Sequence, residues 1–212
     1  MEKTNAQLKK EGRFFDQKND ELHPVSHWIR NRKSTYAYDF IDEEIPKSIV
    51  EEIVTNGLWA PTNKMTQPWR FEVLGGKHKV DLGPYMVAYY KRTLGEKQFP
   101  ESRHESVRNY ARYATLISII FQRSKPERIV EWEEIAAISC AVQNMWLSST
   151  AMGLGCYWDS AEATIKYCEE NLTLTSNERS LGILFMGVCG DKTDSLNRKR
   201  KPLNKKLSWN LK

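Results

Sequence analysis

Arg32, Lys33 and Ser34 place a permanently charged, fork-shaped guanidinium two residues before a hydroxyl. Such a pair can grip a phosphate through charge-assisted hydrogen bonds, although an ordinary surface Arg-Lys pair would read the same way in isolation. Further along, Ala60-Pro61-Thr62-Asn63-Lys64-Met65-Thr66-Gln67-Pro68-Trp69-Arg70-Phe71 closes a helix-compatible run at a proline, crosses a polar loop and reopens as an apolar strand. The loop cannot bury itself without partners for its backbone groups, and Pro68 fixes the direction of exit. A polar loop held between a helix and a strand is a common place for binding groups, and equally the form of a plain connector.

Two further segments carry chemistry-bearing residues in an order that matters. Gly153-Leu154-Gly155-Cys156-Tyr157-Trp158-Asp159-Ser160 follows a long apolar helix, and Arg198-Lys199-Arg200-Lys201-Pro202-Leu203 lies near the C-terminus. With Arg-Lys-Ser and the Ala-Pro-x5-Gln-Pro-Trp-x-Phe loop, they make four motifs whose sequence from Trp28 to Trp209 resembles the nitroreductase family of FMN-dependent oxidoreductases. The resemblance implies a nitroreductase-like α+β fold, a central mixed or antiparallel sheet flanked by helices, and an intertwined homodimer with FMN at the subunit interface. It also implies that Arg32, Lys33 and Ser34 hold the flavin's phosphate and ring edge. Thr62, Asn63, Met65 and Gln67 would lie on the loop that reaches the partner subunit's flavin. Trp158, Asp159 and Ser160 match the stretch whose backbone amide approaches the reactive flavin nitrogen. Arg198 and Arg200 match the late basic residues that return to the phosphate, Arg200 ahead of Arg198. One departure is Met65, where family members often carry asparagine.

On this reading the cofactor carries the chemistry, NAD(P)H is the co-substrate, and no side chain is assigned as a catalytic acid, base or nucleophile. The expected activity is ping-pong reduction of nitroaromatic, quinone or similar small acceptors. A specialised reductive enzyme of the same fold, of dehalogenase or flavin-cleaving type, is an alternative. So is a non-enzymatic flavin- or nucleic-acid-binding protein. The four histidines and four cysteines are given no part in the expected flavin chemistry. Cys140, Cys156, Cys168 and Cys189 form no Cys-x-x-Cys pair, which suits reduced thiols rather than a metal or disulfide framework.

The elements that must position these residues can be read from periodicity. Ile45, Ile49, Ile53 and Gly57 recur every four residues, with Val50, Val54 and Leu58 widening the stripe, and predict an amphipathic helix over 43–59 with Pro46 in its first turn. Trp69 to Leu74, bounded by Gly75-Gly76, predicts a strand. Leu116 to Phe121 and Ile183 to Met186 with Val188 are short apolar runs that suit buried strands. Glu131 to Met152 predicts a long central helix with Ile135, Ile138, Val142, Met145 and Trp146 on its apolar face. Val25 to Arg32 suits a first helix with Trp28 and Ile29 facing inward, and Tyr85, Tyr89 and Tyr90 fall on another helix. Helices and strands do not alternate regularly, which favours α+β over a doubly wound sheet.

Length and charge bound the remainder. The 212 residues, 40% hydrophobic, fit one domain, here residues 26–212 including a basic C-terminal arm, preceded by an N-terminal extension, 1–25. The net charge of +5 is concentrated: Asp191 to Lys212 holds eight Lys+Arg and two Asp+Glu, which argues against a broad nucleic-acid-binding face. No apolar stretch approaches the ~20 residues of a membrane helix. The charged Met1–Asp20 segment lacks a signal peptide's apolar core, so the cytoplasm is the expected location.

Overall fold

The computed structural model of the protein describes residues 23–126, 129–190 and 198–211. In chain order its elements are helices α1 (Pro24–Asn31) and α2 (Lys47–Leu58), strand β1 (Trp69–Leu74), helices α3 (Lys77–Gln98) and α4 (His104–Arg108), strand β2 (Thr115–Gln122), helix α5 (Glu131–Ala151), strand β3 (Gly155–Asp159), helix α6 (Glu162–Asn171) and strand β4 (Glu178–Gly187). The strands form one sheet in the order β1-β2-β4-β3, and every pairing is antiparallel. β4, the last strand made, is inserted between β2 and β3, leaving β1 and β3 at the edges. The architecture is the expected α+β, with no parallel pair in the sheet.

The continuous apolar runs follow from helices on both faces of this sheet. Successive strand residues point to opposite sides, so a strand covered on both sides is apolar at every position. Along β2, Ile117, Ile119 and Phe121 join α2 and α5 in one core, while Leu116 faces the other. Along β4, Leu184 and Met186 join the first core, while Ile183 and Phe185 face α3, α4 and α6. Ser118 belongs to that second face and donates to Cys168 Sγ of α6 at 3.7 Å.

α2 packs against α5 with Val50, Ile53, Ile138, Val142 and Met145 buried between them. Gly57 is where they come closest: a Cβ there would stand 2.8 Å from the Met145 side chain. The helix begins later than its apolar stripe because Pro46 occupies the N-cap, and Leu58 at its end is exposed. α1 corrects an expectation. Trp28 and Ile29 were read as inward-facing, yet they are 39% and 51% exposed; α1 contributes no buried residue and is fixed by its end rather than by an apolar face. All four cysteines are free, with Cys156 and Cys168 buried, Cys189 half-buried and Cys140 exposed. Among the described residues no helix is long and apolar enough to cross a membrane. Residues 1–22 of the expected extension and 191–197 of the arm lie outside the described residues.

Candidate functional site

Arg32 caps the C-terminus of α1, its N–H donating to the Trp28 carbonyl at 3.0 Å. Its guanidinium lies 4.4 Å from the centre of the Trp146 ring of α5, a cation–π contact. Trp146 Nε1 in turn donates to the Lys33 carbonyl at 3.1 Å, so one tryptophan holds two successive residues. The chain then runs along the open edge of β3, where Thr35 N–H donates to the Cys156 carbonyl at 3.1 Å. Ser34 is therefore held between two fixed neighbours, half-buried, beside that edge.

Arg198 and Arg200 arrive from the far end of the chain. Arg198 donates to the carbonyls of Arg30 at 2.6 Å and Asn31 at 3.1 Å, and also to that of Arg32. These are carbonyls at the end of α1, where the helix carries partial negative charge and lacks intrahelical partners. Arg198 is thus a capping group, while Arg200 reaches only the Lys199 carbonyl, at 3.3 Å. Burial lowers the Arg32 pKa, and the charges of Arg198 and Arg200 lower it further. Among the described residues no carboxylate pairs with any of the three. Like charges brought together without a counter-ion oppose one another, and a phosphate dianion would remove that opposition. The donor set, two uncommitted guanidinium forks and the Ser34 hydroxyl, suits such a group.

The edge of β3 supplies the second part of the site. Because Cys156 turns its carbonyl outward to Thr35, the alternation of an antiparallel pair directs the backbone of Trp158 outward as well. Ser160 lies just past the strand end and is exposed. The side chains here are committed inward. Trp158 Nε1 donates to the Leu181 carbonyl at 2.8 Å. Asp159 accepts from Tyr157 Oη at 2.9 Å and from Ala161 N–H at 2.8 Å, which fixes the entry into α6. Gly182, at φ +100°, lets β4 pass this corner; a Cβ there would meet the Asp159 carbonyl oxygen at 2.0 Å.

The Thr62–Gln67 loop is rigid for a different reason. Lys64, Met65 and Gln67 adopt φ of 50°, 53° and 44°, a region that side chains other than glycine's enter at some cost. Hydrogen bonds hold it: Thr62 Oγ1 lies 3.1 Å from Thr66 Oγ1 and accepts from Gln67 N–H at 3.1 Å, and Asn63 Nδ2 donates to Glu133 Oε2 at 2.6 Å. Met65 is 71% exposed. The loop is pinned to the first turn of α5, whereas Arg32 stacks near its last turns. From Glu133 to Trp146 the helix spans about 20 Å. The loop also enters β1, the sheet edge opposite β3, about 14 Å away across three strand spacings. Within one chain, Arg32, Ser34, Arg198 and Arg200 gather at the end of α1 beside the open edge of β3, on which Trp158 also lies, and Thr62, Asn63, Met65 and Gln67 do not join them.

Trp146, expected only as part of an apolar face, is the residue that positions Arg32 and Lys33. Its sequence signal is weak: a tryptophan at the rim of a helical stripe whose indole N–H and ring face both need partners.

An antiparallel four-stranded sheet with helices on both faces is an α+β fold of a recognisable kind. The chain belongs to the Nitroreductase family, whose model matches residues 29–188. It is 25% identical over 186 residues to YfhC of Bacillus subtilis, provisionally named an NAD(P)H nitroreductase, covering 85% of this chain and 91% of that one. A nitroreductase-like protein from Bacillus cereus shares the fold with a TM-score of 0.70 at 22% identity, covering 92% of this chain and 100% of that one. The FMN-dependent nitroreductase NfnB of Mycobacterium smegmatis, crystallised with NADPH, aligns with a TM-score of 0.68 at 18% identity over 88% of this chain and 97% of that one.

Proposed function

We propose that this protein is an FMN-dependent oxidoreductase that draws on NADH or NADPH and passes reducing equivalents to a small acceptor, such as a nitroaromatic or a quinone. The observation that carries this reading is the trio Arg32, Arg198 and Arg200, with no paired carboxylate among the described residues, beside the outward-facing backbone of Trp158. FMN, when bound, supplies the hydride chemistry. Arg32 and Arg200 hold its phosphate, Ser34 adds a hydroxyl, and Arg198 keeps the arm in place from below. The outward N–H groups near Asp159 and Ser160 place fixed dipoles where a ring would gain negative charge, with Lys33 as a cationic neighbour. The Asp159 carboxylate, engaged by Tyr157 and Ala161, is not asked to move a proton here. That NfnB is FMN-dependent and was crystallised with NADPH supports the choice of cofactor and co-substrate.

The distance between the loop and the arginine cluster favours a homodimer in which the loop of one copy closes the site of the other. The arm gives the same indication, since Leu203, Leu207, Trp209 and Leu211 are all exposed, leaving apolar side chains that a second copy would cover. FMN titration into apo protein, followed by NADPH addition and sedimentation, tests the reading. A dimer binding one FMN per chain, whose visible absorbance NADPH bleaches, is the expected result. A protein with no affinity for FMN would overturn the cofactor assignment, and an FMN-loaded monomer would overturn the shared site.

A further inference from the structure

A second opening lies on the other face of the sheet. Tyr157 follows Cys156 in β3 and therefore points away from α5, Trp146 and Arg32, into the core beneath α3 and α4. Over it is a cleft of about 240 Å³ lined by five tyrosines and Phe99, with Met86, Leu94 and Val107 filling between them. Tyr36 packs on Tyr157 with ring centres 5.0 Å apart, Tyr38 on Tyr110 at 4.8 Å, and Tyr90 on Phe99 at 5.3 Å. The floor is rigid, because Tyr157 and Tyr110 both pack on the buried Phe185 at 5.2 and 5.3 Å. Aromatic walls around a volume below the several hundred Å³ of drug-sized sites suit a single planar ring.

The polar groups are few and of opposite sign. Asp159 lines the inner end. Its oxygens each accept one hydrogen bond, from Tyr157 and from Ala161 N–H, and each retains a further lone pair. Arg103 lines the exposed rim, its guanidinium 5.9 Å from the Phe99 ring centre, and no carboxylate among the described residues pairs with it. Both charges are felt at one hydroxyl: burial raises the Tyr90 pKa, Asp159 raises it further and Arg103 opposes the rise. Burial likewise pushes up the Tyr110 and Tyr157 hydroxyls, so these three tyrosines line the slot as neutral groups.

We propose that this slot binds a small one-ring aromatic acid carrying a hydroxyl or amino group. The donor meets Asp159, the ring lies among the tyrosines and the carboxylate meets Arg103. The site does not use Arg32, Arg198 or Arg200, and stands whether or not FMN is the cofactor.

Calorimetric titration of the full chain, with and without saturating FMN, using 4-hydroxybenzoate, benzoate and phenol as probes, tests this. 4-Hydroxybenzoate should bind at least about tenfold more tightly than benzoate, which lacks the donor, or phenol, which lacks the acid. Arg103→Gln should weaken 4-hydroxybenzoate about tenfold and leave phenol unchanged. Asp159→Asn should lower affinity for both phenols but not for benzoate. Because Asp159 also fixes the start of α6, Leu94→Trp, which fills the slot from its rim, serves as the second variant and should abolish binding. Equal affinity for the three probes, binding unaltered in Arg103→Gln and Leu94→Trp, or displacement by FMN would overturn the proposal. Protein that binds FMN but none of the probes would sink this inference alone. Protein that binds 4-hydroxybenzoate with this selectivity but not FMN would sink only the flavin reading.

Discussion

The two ends of α5 treat charge in opposite ways. Around its first turn every arginine named here has a carboxylate: Arg123 pairs with Glu134 and Arg179 with Glu131. Near its last turns Arg32, Arg198 and Arg200 have none among the described residues. Glu134 is fully buried, and Arg123 also donates to the Ile129 carbonyl at 2.8 Å, so that end is a closed network which gives the fold its shape. The opposite end is held open at an energetic cost. Guanidiniums gathered in this way oppose one another, and that opposition is what the proposed phosphate site relies on, although Arg198 is held there by the carbonyls of α1.

Substitution should expose the contrast. Arg123→Met leaves a buried, uncompensated Glu134 carboxylate and should cost about 3–5 kcal/mol of stability, measured by urea unfolding. A loss below about 1 kcal/mol would show that the pair is merely a surface contact. Arg32→Ala and Arg200→Ala should do the reverse. Each is expected to weaken FMN binding by about 1.5–3 kcal/mol, roughly ten- to a hundredfold. Apo Arg200→Ala should unfold at the same urea concentration as the unaltered protein, or a higher one, because repulsion is relieved. Unchanged FMN affinity in both variants would remove the phosphate assignment.

A smaller effect is expected in acid, again at the paired end. Hydrogen bonds from Arg70, at 2.7 and 3.1 Å, hold the Glu178 carboxyl down at about 2, against the opposing effect of burial. A depressed carboxylate pKa adds stability above the unfolded value and loses it as the pH falls toward the folded one. Arg70 is one-third exposed, so solvent screening reduces the contribution to about 1–2 kcal/mol. The stability difference between the unaltered protein and Glu178→Gln should be present at neutral pH and shrink from about pH 4.5 toward pH 2. A difference independent of pH across that window would show that Glu178 acts through packing alone.

The fold was legible in the sequence wherever local signals agreed. β1 falls at 69–74 as read, because Pro68 and the Gly75-Gly76 pair punctuate it on both sides. β2 and α5 were equally clear, one from its unbroken apolar run and the other from its stripe and terminal glycine. α6 was not read at all. Its buried positions are Ala163, Thr164, Tyr167 and Cys168, small or polar-tipped residues that trace no strong stripe. β4 began earlier than its apolar run, since Glu178 and Arg179 pair with Gln122 and Phe121 at the sheet's rim.

The site was legible as a set of residues rather than as an arrangement. Arg198 matched a phosphate-returning position, but its guanidinium is spent on the carbonyls of α1, a contact between residues too far apart in sequence for any local pattern to reveal. Asp159 lay in a matched stretch, yet only the fold shows its carboxylate turned inward to Tyr157. The aromatic slot gave no signal, because its walls come from segments between Tyr36 and Asp159 that meet only after folding. Met86, Tyr90, Leu94, Phe99 and Val107, on the helices between β1 and β2 and the turn that joins them, supply its outer wall.

Arg198 gripping the end of α1 also orders events in time. Arg32 is made early in synthesis and Arg198 only after β4, so a nascent chain that has completed its whole sheet still lacks the residues that finish the guanidinium cluster. Closing the chain's two ends on each other is a long-range step of the kind that folds late. An anion that requires the complete cluster can therefore be captured only after the body of the protein has formed, which makes its retention a report on whether the chain has been finished.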